Sequence, residues 1–211
     1  MKKGLVLLIT ILSFALATNL WASTITGSIS GPSNGLFGVN QWSTATFEWA
    51  ITDPDQSVSG HWEYVYSFTA PSKAISHIII QVSDNFEEDD MVAGTTIGGL
   101  LDTYSKDSQG GSNPFMPEEM TGIKWNFSDV LSATITIVTD RIPMDGNFYA
   151  IDGKKPGEEV YAWSGDSTGF GFNVPVPDTG TNGKVPEPTT ILLLGSGLVG
   201  AVPFIRRRVK K

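Results

Sequence analysis

The central region of this sequence predicts an all-β fold, an antiparallel β-sandwich of immunoglobulin-like or jelly-roll type. Three observations lead there. Apolar residues recur with period two instead of 3.6, the segments carrying that period are short, and clusters of Gly, Pro, Asn, Asp and Ser punctuate them. Thr24 to Ile29 reads as a first, weak strand. Ala45, Phe47, Trp49 and Ile51 then alternate with Thr46, Glu48, Ala50 and Thr52. In the next strand Trp62, Tyr64, Tyr66, Phe68 and Ala70 point one way and His61, Glu63, Ser67 and Thr69 the other, with Val65 as the apolar exception. Ile78, Ile79 and Ile80 are apolar on both faces, as a central strand covered on each side requires. Gly122 to Phe127 follows as a weaker strand. Leu131, Ala133, Ile135 and Ile137 alternate with Ser132, Thr134 and Thr136. Phe148 to Ile151, Val160 to Trp163 and Phe170 to Val174 complete nine strands. Two stretches break the pattern: a dense acidic turn from Asp84 to Asp90, and a Gly-, Ser- and Asp-rich excursion from Gly94 to Glu119, read as a long loop.

The chain divides into four parts. Lys2 and Lys3, the apolar run from Leu5 to Leu16 and the small-residue end at Leu20-Trp21-Ala22 read as a secretory signal peptide over residues 1–22, cleaved after Ala22. Residues 23–174 form the extracytoplasmic domain, and 175–184, rich in Pro, Thr and Gly, form a flexible linker. Residues 185–211 are a terminal signal. Between Ser23 and Val185 the chain has 21 acidic and 7 basic residues, a formal charge of −14 that the whole-chain value of −8 conceals. Such a surface repels phosphate backbones, which argues against nucleic-acid binding. The sequence has no cysteine, so disulfides, thiol nucleophiles and thiolate-bound metals are excluded.

The terminal signal has three pieces. Val185, Pro186, Glu187 and Pro188 make an extended, protease-accessible element, because each Pro fixes its own φ and keeps its predecessor out of the helical region. Residues 189–205 are an apolar run that as a helix would span roughly 25 Å, near the lower limit for a single transmembrane helix. Arg206, Arg207, Arg208, Lys210 and Lys211 hold the end in the cytoplasm. At these residues the chain resembles the PEP-CTERM sorting domain of Gram-negative surface proteins. The resemblance implies recognition and cleavage by a membrane-embedded exosortase. It further implies a path through an inner-membrane intermediate to the cell surface or the extracellular space, in bacteria that make exopolysaccharide. It covers residues 185–211 and leaves the domain's own role open.

Candidate chemistry in the domain is sparse. Gly195-Ser196-Gly197-Leu198-Val199-Gly200 matches a dinucleotide fingerprint in spelling only, since no βαβ unit or downstream acid accompanies it. Its small residues suit close packing of helices in a membrane. Asp84, Glu87, Glu88, Asp89 and Asp90 are a candidate calcium cluster, with a solvated acidic turn as the simpler alternative, and no other cofactor is expected. Trp42, Trp62, Trp125 and Trp163 are candidates for stacking on sugar rings, although their phase with apolar neighbours favours the core. His61 and His77 are the only imidazoles. No nucleophile-elbow pattern accompanies them, and His77 reads as a strand residue with its ring satisfied or exposed. The expectation is a surface or matrix protein without a catalytic role. Its alternatives are a carbohydrate-binding module and a plain C-terminally anchored envelope protein.

Overall fold

The computed structural model describes residues 24–54, 57, 59–107, 113–152, 160–171 and 173–177. Among these the protein is all-β, with antiparallel sheets, three short 3-10 turns and no α-helix. The smaller sheet has the order β1 (Ile25–Ser30), β3 (Thr46–Thr52), β4 (Trp62–Thr69), β8 (Ser132–Thr139). The larger runs β12 (Gly169–Phe170), β11 (Val160–Asp166), β10 (Phe148–Asp152), β5 (Ile75–Gln81), β7 (Met120–Val130), β6 (Leu100–Tyr104), with β2 (Leu36–Gly38) sharing the β11 edge. A separate ribbon pairs β9 (Pro143–Gly146) with β13 (Val174–Pro177).

The period-two pattern sets the register. Phe47, Trp49 and Ile51 lie opposite Phe68, Tyr66 and Tyr64, which in turn face Ala133, Ile135 and Ile137 across the next ladder. A one-residue slip would turn these side chains to the wrong face. The apolar faces of the two sheets share one core. Phe47 of β3 stacks on Phe148 of β10 with ring centroids 4.0 Å apart and planes 7° apart. Phe68 packs between Phe148 and Trp42. Buried tyrosines place their hydroxyls at the core margin, where Tyr64 donates to the carbonyl of Arg141 at 2.7 Å and Tyr66 to that of Pro175 at 2.8 Å. As the triple isoleucine requires, β5 is interior: Ile78 and Ile80 enter the main core, while Ile79 joins a second cluster on the opposite face.

Several strand assignments need correction. Leu131 is not on the inward face; it lies in the turn between β7 and β8 and is half exposed. The expected Phe170 to Val174 strand is two strands with different partners, β12 on β11 and β13 on β9. The weak strand at Gly122 extends from Met120 to Val130 because it pairs with β5 on one side and β6 on the other. β2, β6 and β9 carried too little alternation to stand out.

The excursion from Gly94 to Glu119 is not merely a loop. It contains β6, and the segment just before it closes the free edge of β8. Val92 and Thr96 donate backbone N–H groups to the carbonyls of Val138 and Thr136, and the Thr95 and Thr96 hydroxyls accept from the amides of Val138 and Thr136. Sealing an edge removes a template for unwanted strand pairing. The far end of the excursion folds over the outer face of the larger sheet, where Asn113 and Met116 are buried.

Candidate functional site

The four tryptophans proposed as sugar platforms separate by burial. Trp42 and Trp125 are core residues: Trp42 donates its indole N–H to the carbonyl of Ser72 at 2.8 Å, and Trp125 donates to that of Thr96 at 3.0 Å. Both are corrected here, because an interior ring has no face to offer a ligand. Trp42 reaches the core because β2 runs close beneath its 3-10 turn; a Cβ on Gly38 would lie 2.1 Å from the Trp42 carbonyl oxygen. Trp62 is half-buried against the core margin.

Trp163 belongs to a column of rings on the outer face of the larger sheet. Phe115 stacks on Tyr161 (4.8 Å, 20°), Tyr161 on Trp163 (5.4 Å, 4°), and Phe37 tilts against Trp163 (4.5 Å, 31°). Trp163 is only 6% exposed and Phe115, at one end, is 55% exposed. Stacking on each other occupies the π-faces that a sugar ring would need, so the column acts mainly as packing. Tyr161 and Trp163 could have been paired from their i, i+2 spacing on one strand. Phe37 and Phe115 come from remote segments and gave no signal.

A different concavity lies on the smaller sheet, a shallow groove lined by Thr26, Ser28, Glu48, Trp49, Val65 and Ser67. Its hydroxyls, single carboxylate and half-buried indole are groups that can hydrogen-bond and pack against a polar ligand.

The acidic turn is organised by a cation from the chain itself. Arg141 donates to Asp90 Oδ2 at 2.6 Å and to both the side-chain and backbone oxygens of Asn85, and its guanidinium lies 5.8 Å from the centre of the Phe86 ring. Asp90 also accepts from the amide of Glu87, completing a reciprocal cap on the short 3-10 turn Glu88–Asp90. Burial acts to raise the Asp90 pKa, but bonding to Arg141 and to the Glu87 amide outweighs it, leaving the carboxyl below its ordinary value. Asp84 accepts from the Thr121 hydroxyl at 2.9 Å. Among the described residues no group of three or more His, Cys, Asp or Glu is placed to hold a metal ion; within the candidate set Asp84, Glu87, Glu88, Asp89 and Asp90, Asp90 is paired with Arg141 and Asp84 with the Thr121 hydroxyl. Arg141 was the residue missed, because 51 positions separate it from Asp90.

The two histidines differ. His61 Nδ1 meets Asp140 Oδ1 at 2.5 Å on the surface, while the nearby Ser57 hydroxyl bonds to the His61 backbone amide and carbonyl. A serine engaged with the main chain is not poised as a nucleophile. His77 is neither exposed nor fully satisfied, contrary to expectation. It is 4% exposed, its Nε2 has no hydrogen-bond partner among the described residues, and its pKa is lowered to about 3, first by burial and then by the Lys124 charge, against a hydrogen bond to Asn113 that favours the charged form.

The remaining sites, Ala22, Val185, Pro186, Glu187, Pro188, residues 189–205 and the tail from Arg206 to Lys211, lie outside the described residues. Among the described residues no helix is long and apolar enough to cross a membrane. The terminal segment itself supplies the deciding observation: residues 184–209 match the family model of the PEP-CTERM protein-sorting motif. The chain carries a PEP-CTERM motif. That motif implies export, processing by exosortase, which is a membrane enzyme, and sorting to the cell surface through a membrane-associated step. Its 26 matched positions leave the β domain outside the PEP-CTERM comparison. No curated protein and no solved structure matches the chain.

Proposed function

We propose that the chain is a non-catalytic surface or extracellular-matrix protein of an exopolysaccharide-producing, biofilm-forming bacterium, with its β domain delivered by the PEP-CTERM route. On this reading the N-terminal segment is a signal peptide cleaved after Ala22 and residues 189–205 are a transmembrane helix that serves as a temporary handle. The two sheets then form a β-sandwich, which the stacking of Phe47 on Phe148 between them supports. The PEP-CTERM match carries the proposal. The lack of a catalytic role is supported by the engaged hydroxyl of Ser57 and the depressed basicity of His77, which weaken the two imidazole-based options.

Pro186-Glu187-Pro188 presents a stiff extended element at the membrane face while the basic tail opposes its export. Replacing the three residues with alanine should leave export intact and trap a longer, membrane-bound form. Intact-mass measurement of extracellular protein reads this directly. A native product still ending at Lys211 would leave a plain membrane anchor in place of a sorting signal.

A carbohydrate-binding reading has one favourable observation, the hydroxyl-lined groove beside Trp49 and Glu48. It shifts the candidate surface away from Trp42 and Trp125. Trp49→Ala with unchanged binding to the producer's polysaccharide would remove that support.

A further inference from the structure

We propose that residues 113–116 form a strap across the outer face of the larger sheet, and that protonation of His77 beneath it releases the strap in acid. Several contacts hold the strap down. Asn113 Oδ1 accepts from Lys124 Nζ at 3.3 Å, the Pro114 carbonyl accepts from the Tyr149 hydroxyl at 2.7 Å, and the Phe115 ring stacks on Tyr161. Met116 is buried behind them with Met120, Tyr104, Ile79 and Trp163. Phe115 holds a φ of +65°, a left-handed conformation that an aromatic residue adopts only where its surroundings impose it.

Under this strap lie two nitrogen bases. His77 on β5 and Lys124 on β7 share the covered face, since Asn126 lies opposite His77 and Lys124 lies opposite Ile79. The groups facing the imidazole come from each neighbouring element: Lys124 and Asn126 from β7, Tyr149 from β10 with its ring centre 6.1 Å away, and Asn113 from the strap. Tyr104 of β6 lies under the Lys124 ammonium, 5.5 Å from ring centre to Nζ. β5 contributes no other titratable side chain. A proton added to His77 would place a second positive charge beside Lys124 in a site where, among the described residues, the imidazole Nε2 has no acceptor. Lifting the strap admits water to both.

The sign follows from linkage. The imidazole has its ordinary value of 6.5 when open and about 3 when closed, so closure is fully favoured above pH 6.5 and weakens as pH falls toward 3. Over that window the open fraction rises roughly tenfold per pH unit. From pH 7 to pH 4.5 these two values give an increase of about 70-fold. Lys124 is also held below its ordinary value by burial.

Methionine oxidation reads the opening. Met116 is 3% exposed and Met144, 46% exposed, is an internal reference on β9. The full chain in mild detergent would be pulsed with hydrogen peroxide at pH 7 and 4.5, and the Met116 to Met144 sulfoxide ratio measured by peptide mass spectrometry. The expected ratio rises by tens of fold in acid, while amide exchange of β10 in the main core stays slow. His77→Gln should flatten the response. Lys124→Met, which removes the neighbouring charge, should shrink it if the His77 variant does not fold. An unchanged ratio in wild type, an equal acid response in both variants, or simultaneous exposure of β10 would each overturn the strap.

Discussion

Truncating Phe47 to alanine tests whether the two sheets depend on each other. The ring is fully buried, lies 4.0 Å from Phe148 on the larger sheet, and also stacks on Tyr66 at 5.7 Å within its own sheet. Losing a buried Phe costs about 3–5 kcal/mol, from lost transfer energy plus the cavity left behind. The two ring pairs argue for the upper half of that range, since each adds about 0.5–1.5 kcal/mol beyond area. With a urea slope of ~2 kcal/mol/M, a loss of about 4 kcal/mol moves the unfolding midpoint down by about 2 M. Tryptophan fluorescence follows the transition, and Leu131→Ala, at an exposed turn, serves as a control expected to stay within about 0.5 kcal/mol. A cycle with Phe148→Ala should return a coupling of about 1 kcal/mol. A Phe47→Ala cost below about 1 kcal/mol, or independent transitions of the two sheets, would refute a shared core.

Other outcomes follow from the same geometry. Arg141→Ala should loosen the acidic turn and cost about 1–2 kcal/mol, because one guanidinium holds Asp90 and Asn85 and packs near Phe86; hydrogen exchange over residues 84–91 reads it. The Asp90 carboxyl has a lowered pKa when folded, so its stabilisation is present above the ordinary value of 3.8 and is lost as pH falls through the folded value; acid melts of Asp90→Asn should lack that component. Gly38→Ala should destabilise by more than 1 kcal/mol, since the new Cβ would lie 2.1 Å from the backbone oxygen of Trp42, and a wild-type melting temperature would show that the turn yields freely.

Much of the strand layout was legible because a half-buried strand writes its two faces into alternate residues. Phe47 to Ile51, Tyr64 to Phe68 and the three isoleucines of β5 were readable in this way. β2, β6 and β9 were not, since three to five residues provide too few alternations to rise above the background of loops. The acidic cluster left its two readings, calcium site or solvated turn, open for a related reason. Neighbouring carboxylates in sequence say how much charge is present, whereas ligation depends on where each oxygen points.

The sequence alone determined the delivery signal and the β class, because both are local codes. A PEP-CTERM motif is a contiguous string, and strand period is a property of adjacent residues. Tertiary structure alone decided which aromatics are core, that Arg141 holds the acidic turn, and that His77, Lys124 and Asn113 meet under one strap. Those contacts join residues tens of positions apart, and their energies arise from burial and proximity that appear only once the chain has closed on itself.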